Sequence, residues 1–217
     1  CFIDVSGHGL NGRWGFNFTA DYLMNIAVAR KYSIPFYVFT QSLGPFEHEF
    51  PFNGLSRFLL RRYLRYPQKI FAREREGYDD VRQFTEDNVV QTADLVLQTR
   101  DYRTANIFQG PVDVRSVEIE PGAVGIVPNI WVDGLMEEGC LVGLYRRLIA
   151  MLTRQRRAVY LLRHADEDEG LCRRIASESG YKVRLIEGDF NVIELEGIIR
   201  QFDFIVTSRY HSLVNAY

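Results

Sequence analysis

The 217-residue sequence has little of several residue types, and each scarcity removes a class of protein. There are only three cysteines, Cys1, Cys140 and Cys172, widely spaced and odd in number. Without a Cys-x-x-Cys pair there are no ligands for a zinc ribbon and no thioredoxin-type redox couple. A disulfide framework is equally unsupported, which points to a reducing compartment. No apolar run approaches the ~18–20 residues that cross a bilayer, and the opening residues do not read as a signal peptide. An excess of one charge is also missing: 26 Lys+Arg stand against 28 Asp+Glu, a formal net charge of -2. That argues against a nucleic-acid partner held by a basic surface. Lysine is nearly absent, with 3 Lys against 23 Arg. Arginine suits forked recognition of carboxylate and phosphate.

What is present is ordinary globular material, 47% apolar, 13% aromatic and 25% charged, enough for one large domain or two small ones. The apolar periodicity alternates short strands with helices. Strands are expected at Phe2–Ser6, Pro35–Thr40, Lys69–Ala72 and Asn88–Thr92, then at Ala123–Pro128, Ala158–Leu162, Lys182–Ile186 and Phe204–Thr207. Helices are expected at Ala20–Lys31 behind a Thr19 cap, Leu55–Tyr66 and Gly77–Thr85. Further helices follow at Leu141–Arg154, Asp166–Ser179, Val192–Arg200 and from His211 onward. Residues 98–121 lose this alternation and carry Gly110-Pro111 and Pro121-Gly122. The expected architecture is α/β: two Rossmann-like domains facing a cleft, with parallel sheets flanked by helices. The boundaries are 1–110 for the N-terminal domain, 122–217 for the C-terminal domain and about 98–121 for the linker. Both ends read as cut, in a strand already under way and in a helix without a final cap, so the chain is expected to be part of something longer.

In open parallel sheets, ligands sit at the carboxyl ends of strands, and several motifs fall there. Gly7-His-Gly-Leu-Asn-Gly12 has G-x-G-x-x-G spacing after a strand. However, Arg13-Trp-Gly-Phe-Asn17 delays the helix and the next strand ends in Thr40-Gln41 rather than an acid. Nicotinamide or flavin binding is therefore disfavoured, while a plain turn and a backbone loop closing on another ligand both stand. Asp166-Glu-Asp168 resembles the D-x-D of metal-dependent sugar transferases, but acids at a helix start serve the dipole equally. Arg57, Arg61 and Arg65 recur along one helix with Arg62 beside them, either as a solvated face or as a surface for anionic lipid or glycan. Thr207-Ser-Arg-Tyr-His211 delivers Arg209 and His211 to a strand end where a helix begins, which suits a phosphate or carboxylate. The alternative is that Arg209 pairs with an acid of the other domain. Arg73 and His164 occupy similar strand-end places.

The order of these motifs resembles the polysaccharide pyruvyl transferase family. The matching stretches are Asp4-Val-Ser-Gly-His-Gly9, Thr40-Gln-Ser-Leu-Gly-Pro-Phe46, Phe71-Ala-Arg-Glu74 and Thr92-Ala-Asp94. Val124-Gly-Ile-Val-Pro128, Leu161-Leu-Arg-His164 with Asp168, and Ser208-Arg-Tyr-His211 continue the match across nearly the whole chain. His8 stands where the family usually has a third glycine.

The resemblance implies a GT-B-like protein that moves a pyruvyl group from phosphoenolpyruvate to a sugar as a cyclic ketal. By matched position it implies that Arg73, Arg209 and His211 are the donor-site residues, with catalytic roles for His211 and Arg209. It also implies substrate contacts from Arg73, Arg209, Ser208, His164, Gly7, His8, Gln41 and Asp94. The N-terminal domain would take the acceptor and the C-terminal domain the donor. Phosphoenolpyruvate carries a carboxylate and a phosphate, so arginines are needed to hold it. A histidine titrating near neutrality can protonate the methylene carbon. No metal and no cofactor are expected. The expected partners are phosphoenolpyruvate and a saccharide acceptor, free or lipid-linked, and the expected place is the cytoplasm, including the inner membrane face. A nucleotide-sugar glycosyltransferase and a non-catalytic glycan- or anion-binding relative are the alternatives.

Overall fold

The computed structural model describes residues 1–47, 52–98, 110, 115–180 and 183–216. The chain divides into two compact units, Cys1–Arg100 and Asp101–Tyr217. Most of the expected linker, 99–109 and 111–114, lies outside the described residues, as does Lys182.

The first unit is built from β1 (Phe2–Asp4), α1 (Phe16–Lys31), β2 (Phe36–Gln41), α2 (Asn53–Tyr63), β3 (Lys69–Ala72), α3 (Arg75–Arg82), β4 (Val89–Gln91) and a short α4 (Leu95–Gln98). Its four strands lie in sequence order, β1-β2-β3-β4, and every pair is parallel. One core cluster serves the unit, with Leu23, Ile26, Phe36, Val38, Leu60, Leu64 and Ile70 almost fully buried. The alternation Phe36, Val38 in β2 is that of a strand with one firmly covered face, rather than of a fully apolar strand.

The second unit contains β5 (Val124–Val127), a short α5 (Ile130–Asp133), α6 (Cys140–Arg154), β6 (Val159–Leu162), α7 (Glu169–Glu178), β7 (Arg184–Ile186), α8 (Val192–Ile199), β8 (Phe204–Thr207) and α9 (Tyr210–Asn215). Its strand order is β7-β6-β5-β8, again all parallel. Val124, Ile126, Val159 and Leu161 point into one cluster under α6 and α7. Ala123, Val127, Tyr160 and Leu162 point into another with α8. Successive strand residues face opposite sides, so this sheet is packed on both faces.

Three short elements escaped the periodicity: a 3-10 turn at Gly12–Trp14, α4 and α5. None is long enough to show a helical repeat. The first helix also begins earlier than its expected cap. Gly15 (φ 89°) precedes Phe16, Thr19 donates its backbone N–H to the Gly15 carbonyl at 3.4 Å, and the Thr19 side chain is buried in the first turn. The left-handed glycine turns the chain into the helix, so the threonine is not needed as a cap.

Candidate active site

Two clusters of polar side chains form at strand carboxyl ends, one in each unit. In the second unit β5, β6 and β7 step outward, and β8 then returns to the other side of β5. The strand order thus reverses between β5 and β8, where an open α/β sheet offers a crevice to ligands. Ser208 and Arg209 leave β8 at this point and α9 begins, with His211 as its second residue.

Asp168 organises the cluster. It is completely buried, and its carboxylate accepts hydrogen bonds from the backbone of Ile130 (2.9 Å) and Ala165 (3.3 Å). It also takes a fork from Arg209, with Nε to Oδ2 at 2.9 Å and Nη2 to Oδ1 at 2.6 Å. One carboxylate therefore ties together the loops that follow β5, β6 and β8. Asp168 closes a 3-10 turn, Asp166–Asp168, ahead of α7, so its place at a helix start is as expected. Nothing in the residue pattern signals the long-range ties. Glu167, mostly exposed, accepts a further bond from Arg209 Nη2 at 3.0 Å. The acids paired with Arg209 thus belong to its own unit and not to the other domain. Its Nη1 has no hydrogen-bond partner among the described residues.

The two imidazoles sit together. The rings of His164 and His211 stack with centroids 6.4 Å apart and planes 10° from parallel, and Tyr210 meets His211 edge-on at 5.5 Å. His211 is exposed, whereas His164 is half-buried and its Nδ1 has no partner among the described residues. Burial lowers the pKa of His164, and the neighbouring His211 and Arg209 lower it further. Both effects favour the neutral imidazole, while its neighbour is open to solvent. Ser208 is exposed, and its carbonyl accepts from Asn129 Nδ2 at 3.2 Å.

In the first unit the loops after β1 and β2 are bonded to each other through their backbones. Ser42 N donates to Gly7 O (3.0 Å), Gly44 N to Leu10 O (3.0 Å) and Gly12 N to Pro45 O (2.8 Å). A side chain at Gly12 would lie 2.7 Å from the carbonyls of Pro45 and Glu47. The glycine spacing that resembles a dinucleotide loop is therefore explained by loop-on-loop packing. Gln41, fully buried, accepts from Ser6 Oγ (3.1 Å) and Gly9 N (3.0 Å) and donates to Asp4 (2.7 Å). Asp4 is also the acceptor for the Tyr22 hydroxyl.

Arg73 is almost buried between carboxylates. Its Nε reaches Glu74 at 2.7 Å and Ser42 Oγ at 2.9 Å, and its Nη1 reaches Asp94 at 3.1 Å. Asp94 is buried too and takes the Val96 N–H at 2.9 Å. His8 stays near its edge. Its pKa is lowered by burial first and by Arg73 next, and Trp14 meets its ring at 6.2 Å. Trp14 and Phe18 form an exposed aromatic pair beside it, 54% and 61% accessible. The alternation of strands and helices had singled out neither ring. Gly7 supplies a left-handed turn (φ 74°).

No group of three or more His, Cys, Asp or Glu that could hold a metal occurs among the described residues. No helix among them is long and apolar enough to cross a membrane.

With this geometry in view, the likeness to known proteins separates fold from family. The UDP-GlcNAc 2-epimerase of Methanocaldococcus jannaschii superposes with a TM-score of 0.57 at 14% identity, over 89% of this chain and 55% of that one. S. aureus MnaA, solved with UDP, gives a TM-score of 0.50 at 11% identity, over 93% of this chain and 52% of that one. This chain spans about half the length of either, and at such identities the likeness concerns the GT-B-like fold alone. Among curated proteins none matches. The family model described as Polysaccharide pyruvyl transferase, by contrast, matches residues 1–217, and the chain belongs to that family.

Proposed function

We propose that this protein transfers the pyruvyl group of phosphoenolpyruvate to a sugar of a polysaccharide or its precursor, closing a cyclic ketal across two hydroxyls. The observation that carries the reading is the switch-point cluster, where Arg209 is locked by a buried carboxylate beside two stacked imidazoles. Arg209 Nη1 takes a carboxylate or phosphate oxygen of the donor, and Ser208 adds a hydroxyl. His211 delivers a proton to the methylene carbon, which becomes the methyl group and leaves a cation at C2. A sugar hydroxyl attacks C2, inorganic phosphate leaves, and the second hydroxyl closes the ring. His164, neutral and facing His211, holds the imidazole in register. These steps are proton transfers, two C–O bond formations and the loss of phosphate, with no net redox change, and need no resident cofactor.

His8, Gln41, Gly7 and Asp94 shape the acceptor side in the first unit. There Trp14 and Phe18 offer flat apolar faces to a sugar ring, and His8 takes the hydroxyl proton. The acceptor is part of envelope or exopolysaccharide assembly, free or lipid-linked, handled in the cytoplasm or at its membrane face.

The test is thermal melting with millimolar phosphoenolpyruvate, with UDP and NAD as controls, followed by phosphate release with candidate acceptors. A ligand that binds only the folded state raises its stability by RT ln(1 + [L]/Kd). Phosphoenolpyruvate alone should raise the melting temperature, and Arg209→Ala should abolish the rise. His211→Ala should keep the rise and lose phosphate release. Equal turnover in His211→Ala and the parent discards the assignment. A rise with UDP alone moves the protein to the nucleotide-sugar transferases.

A further inference from the structure

The arginine stripe singled out in the sequence is unused by the transferase reading, and the structure gives it a surface. From Phe50 to Arg73 the chain holds five arginines and one lysine and no acid, while the whole chain carries 26 basic against 28 acidic residues. Arg57 of the stripe lies over the Phe84 ring, whereas Leu55, Phe58, Arg61 and Arg62 recur at helical spacing along one side of α2 and Arg65 follows in the turn after it. Arg30 at the end of α1 joins them by donating Nη1 to the Arg62 carbonyl at 3.4 Å. Arg30, Phe58, Arg61, Arg62, Arg65 and Tyr66 line one shallow groove.

Elsewhere the arginines are mostly paired: Arg73, Arg115, Arg157, Arg163, Arg174, Arg184 and Arg209 each meet a carboxylate. Arg30, Arg61, Arg62 and Arg65 form no ion pair among the described residues. Leu55 and Phe58 beside them are 49% and 61% exposed. In a chain of net charge -2, four unpaired guanidinium groups on one face complement an anionic surface. The exposed leucine and phenylalanine distinguish a lipid interface from a soluble polyanion, because only the interface gives apolar side chains somewhere to go.

The place of the stripe in the fold also matters. Helices in this unit run back across the parallel sheet, so the last turns of α1 and α2 lie at the amino ends of the strands. The Gln41 and Arg73 cluster lies at the opposite, carboxyl end.

We propose that the α1–α2 edge docks this protein onto an anionic phospholipid surface, with Arg30, Arg61, Arg62 and Arg65 on the headgroups and Phe58 and Leu55 in the interface. The proposal does not depend on the identity of the donor. Its test is cosedimentation of the protein with vesicles of phosphatidylcholine alone or with 30% phosphatidylglycerol (about a third anionic, enough to set up the surface potential). A double-stranded oligonucleotide and heparin serve as soluble competitors.

The protein should partition onto the anionic vesicles only, and salt well above physiological should release it. Each arginine contributes roughly fivefold. Arg61→Gln/Arg62→Gln/Arg65→Gln should therefore weaken binding by about a hundredfold while its melting temperature stays that of the parent. Phe58→Ser should weaken it less and leave the salt dependence intact. The proposal falls if the parent ignores anionic vesicles, if the triple variant binds them like the parent, or if heparin or the oligonucleotide binds this face while vesicles do not.

Discussion

The two units use the same strand-helix alternation, yet they treat their carboxyl ends differently. In the second unit β5 and β6 are buried at every residue, and their alternating side chains feed separate clusters on the two faces. In the first unit a single cluster carries the sheet, and Phe2 and Ile3 of the edge strand β1 are about half exposed. The polar groups follow suit. The first unit's Gln41, Arg73 and Asp94 are occupied in holding loops to one another, each meeting a partner of the same unit. Among the described residues the second unit leaves His164 Nδ1 buried and unpartnered and Arg209 Nη1 without a hydrogen bond, and His211 is exposed. A sheet packed on both faces can hold such unsatisfied groups in place, and a reversal of strand order gives them an opening. Polar networks of similar composition thus divide into one bonded mainly within itself and one with polar atoms left unpartnered among the described residues.

This contrast can be broken most directly at Asp168. Asp168→Ala removes a buried carboxylate that accepts from two backbone N–H groups and from Arg209, so about 3–5 kcal/mol of stability should be lost. Denaturant unfolding measures it, and Asp168→Asn should fall between the two. A loss below about 1 kcal/mol would mean that the loops after β5, β6 and β8 hold without their common tie.

Arg73→Met is the corresponding lesion in the first unit. It strands Asp94 in a buried site, at a cost of about 2–3 kcal/mol, which Arg73→Met/Asp94→Leu should largely restore by removing both charges together. Failure of the double substitution to recover would show that Arg73 does more than neutralise acids. Gln41→Leu should be milder, about 1–2 kcal/mol, because it leaves the Gly9 N–H and the Ser6 hydroxyl without their acceptor.

Much of this was legible in the sequence, and the limits have physical causes. The eight strands among the described residues lie within the expected stretches to within a residue or two, since buried parallel strands such as Val124–Val127 are short apolar runs flanked by turn residues. Helix ends were less legible. The periodicity of α1 starts late because its first turn, Phe16–Thr19, follows a glycine cap that carries no side-chain signal. Arg209, His164 and His211 were singled out by position alone, as polar residues just beyond apolar strands, and two of them do stack in space. What could not be read was which acid faces which arginine. Asp168 lies 41 residues from Arg209, and only the β7-β6-β5-β8 order brings their loops together. The same holds for Asp94 beside Arg73, where adjacency comes from β3 pairing with β4. Periodicity reports which face of an element is buried but carries nothing about which loops become neighbours.

The smallest effect should be the pH dependence, and it distinguishes the units by histidine rather than by carboxylate. His164 and His8 both have pKa values lowered from the ordinary 6.5 by burial. A lowered folded-state value means that below pH 6.5 the unfolded chain binds protons the folded chain refuses. Stability must therefore rise with pH through the window beneath 6.5 and fall on acidification. His164 has the larger share of its ring covered and stands beside two further cationic or titrating groups, Arg209 and His211. His164→Phe should accordingly flatten the acid limb of the stability profile more than His8→Phe does. At pH 7.5 both variants should unfold close to the parent, because the neutral ring carries no charge to lose. Denaturant midpoints at pH 5.0, 6.0 and 7.5 would settle the order. A steeper contribution from His8 would place the more strongly desolvated imidazole in the first unit, and the division between a structural network and an open one would have to be redrawn around the Arg73 cluster.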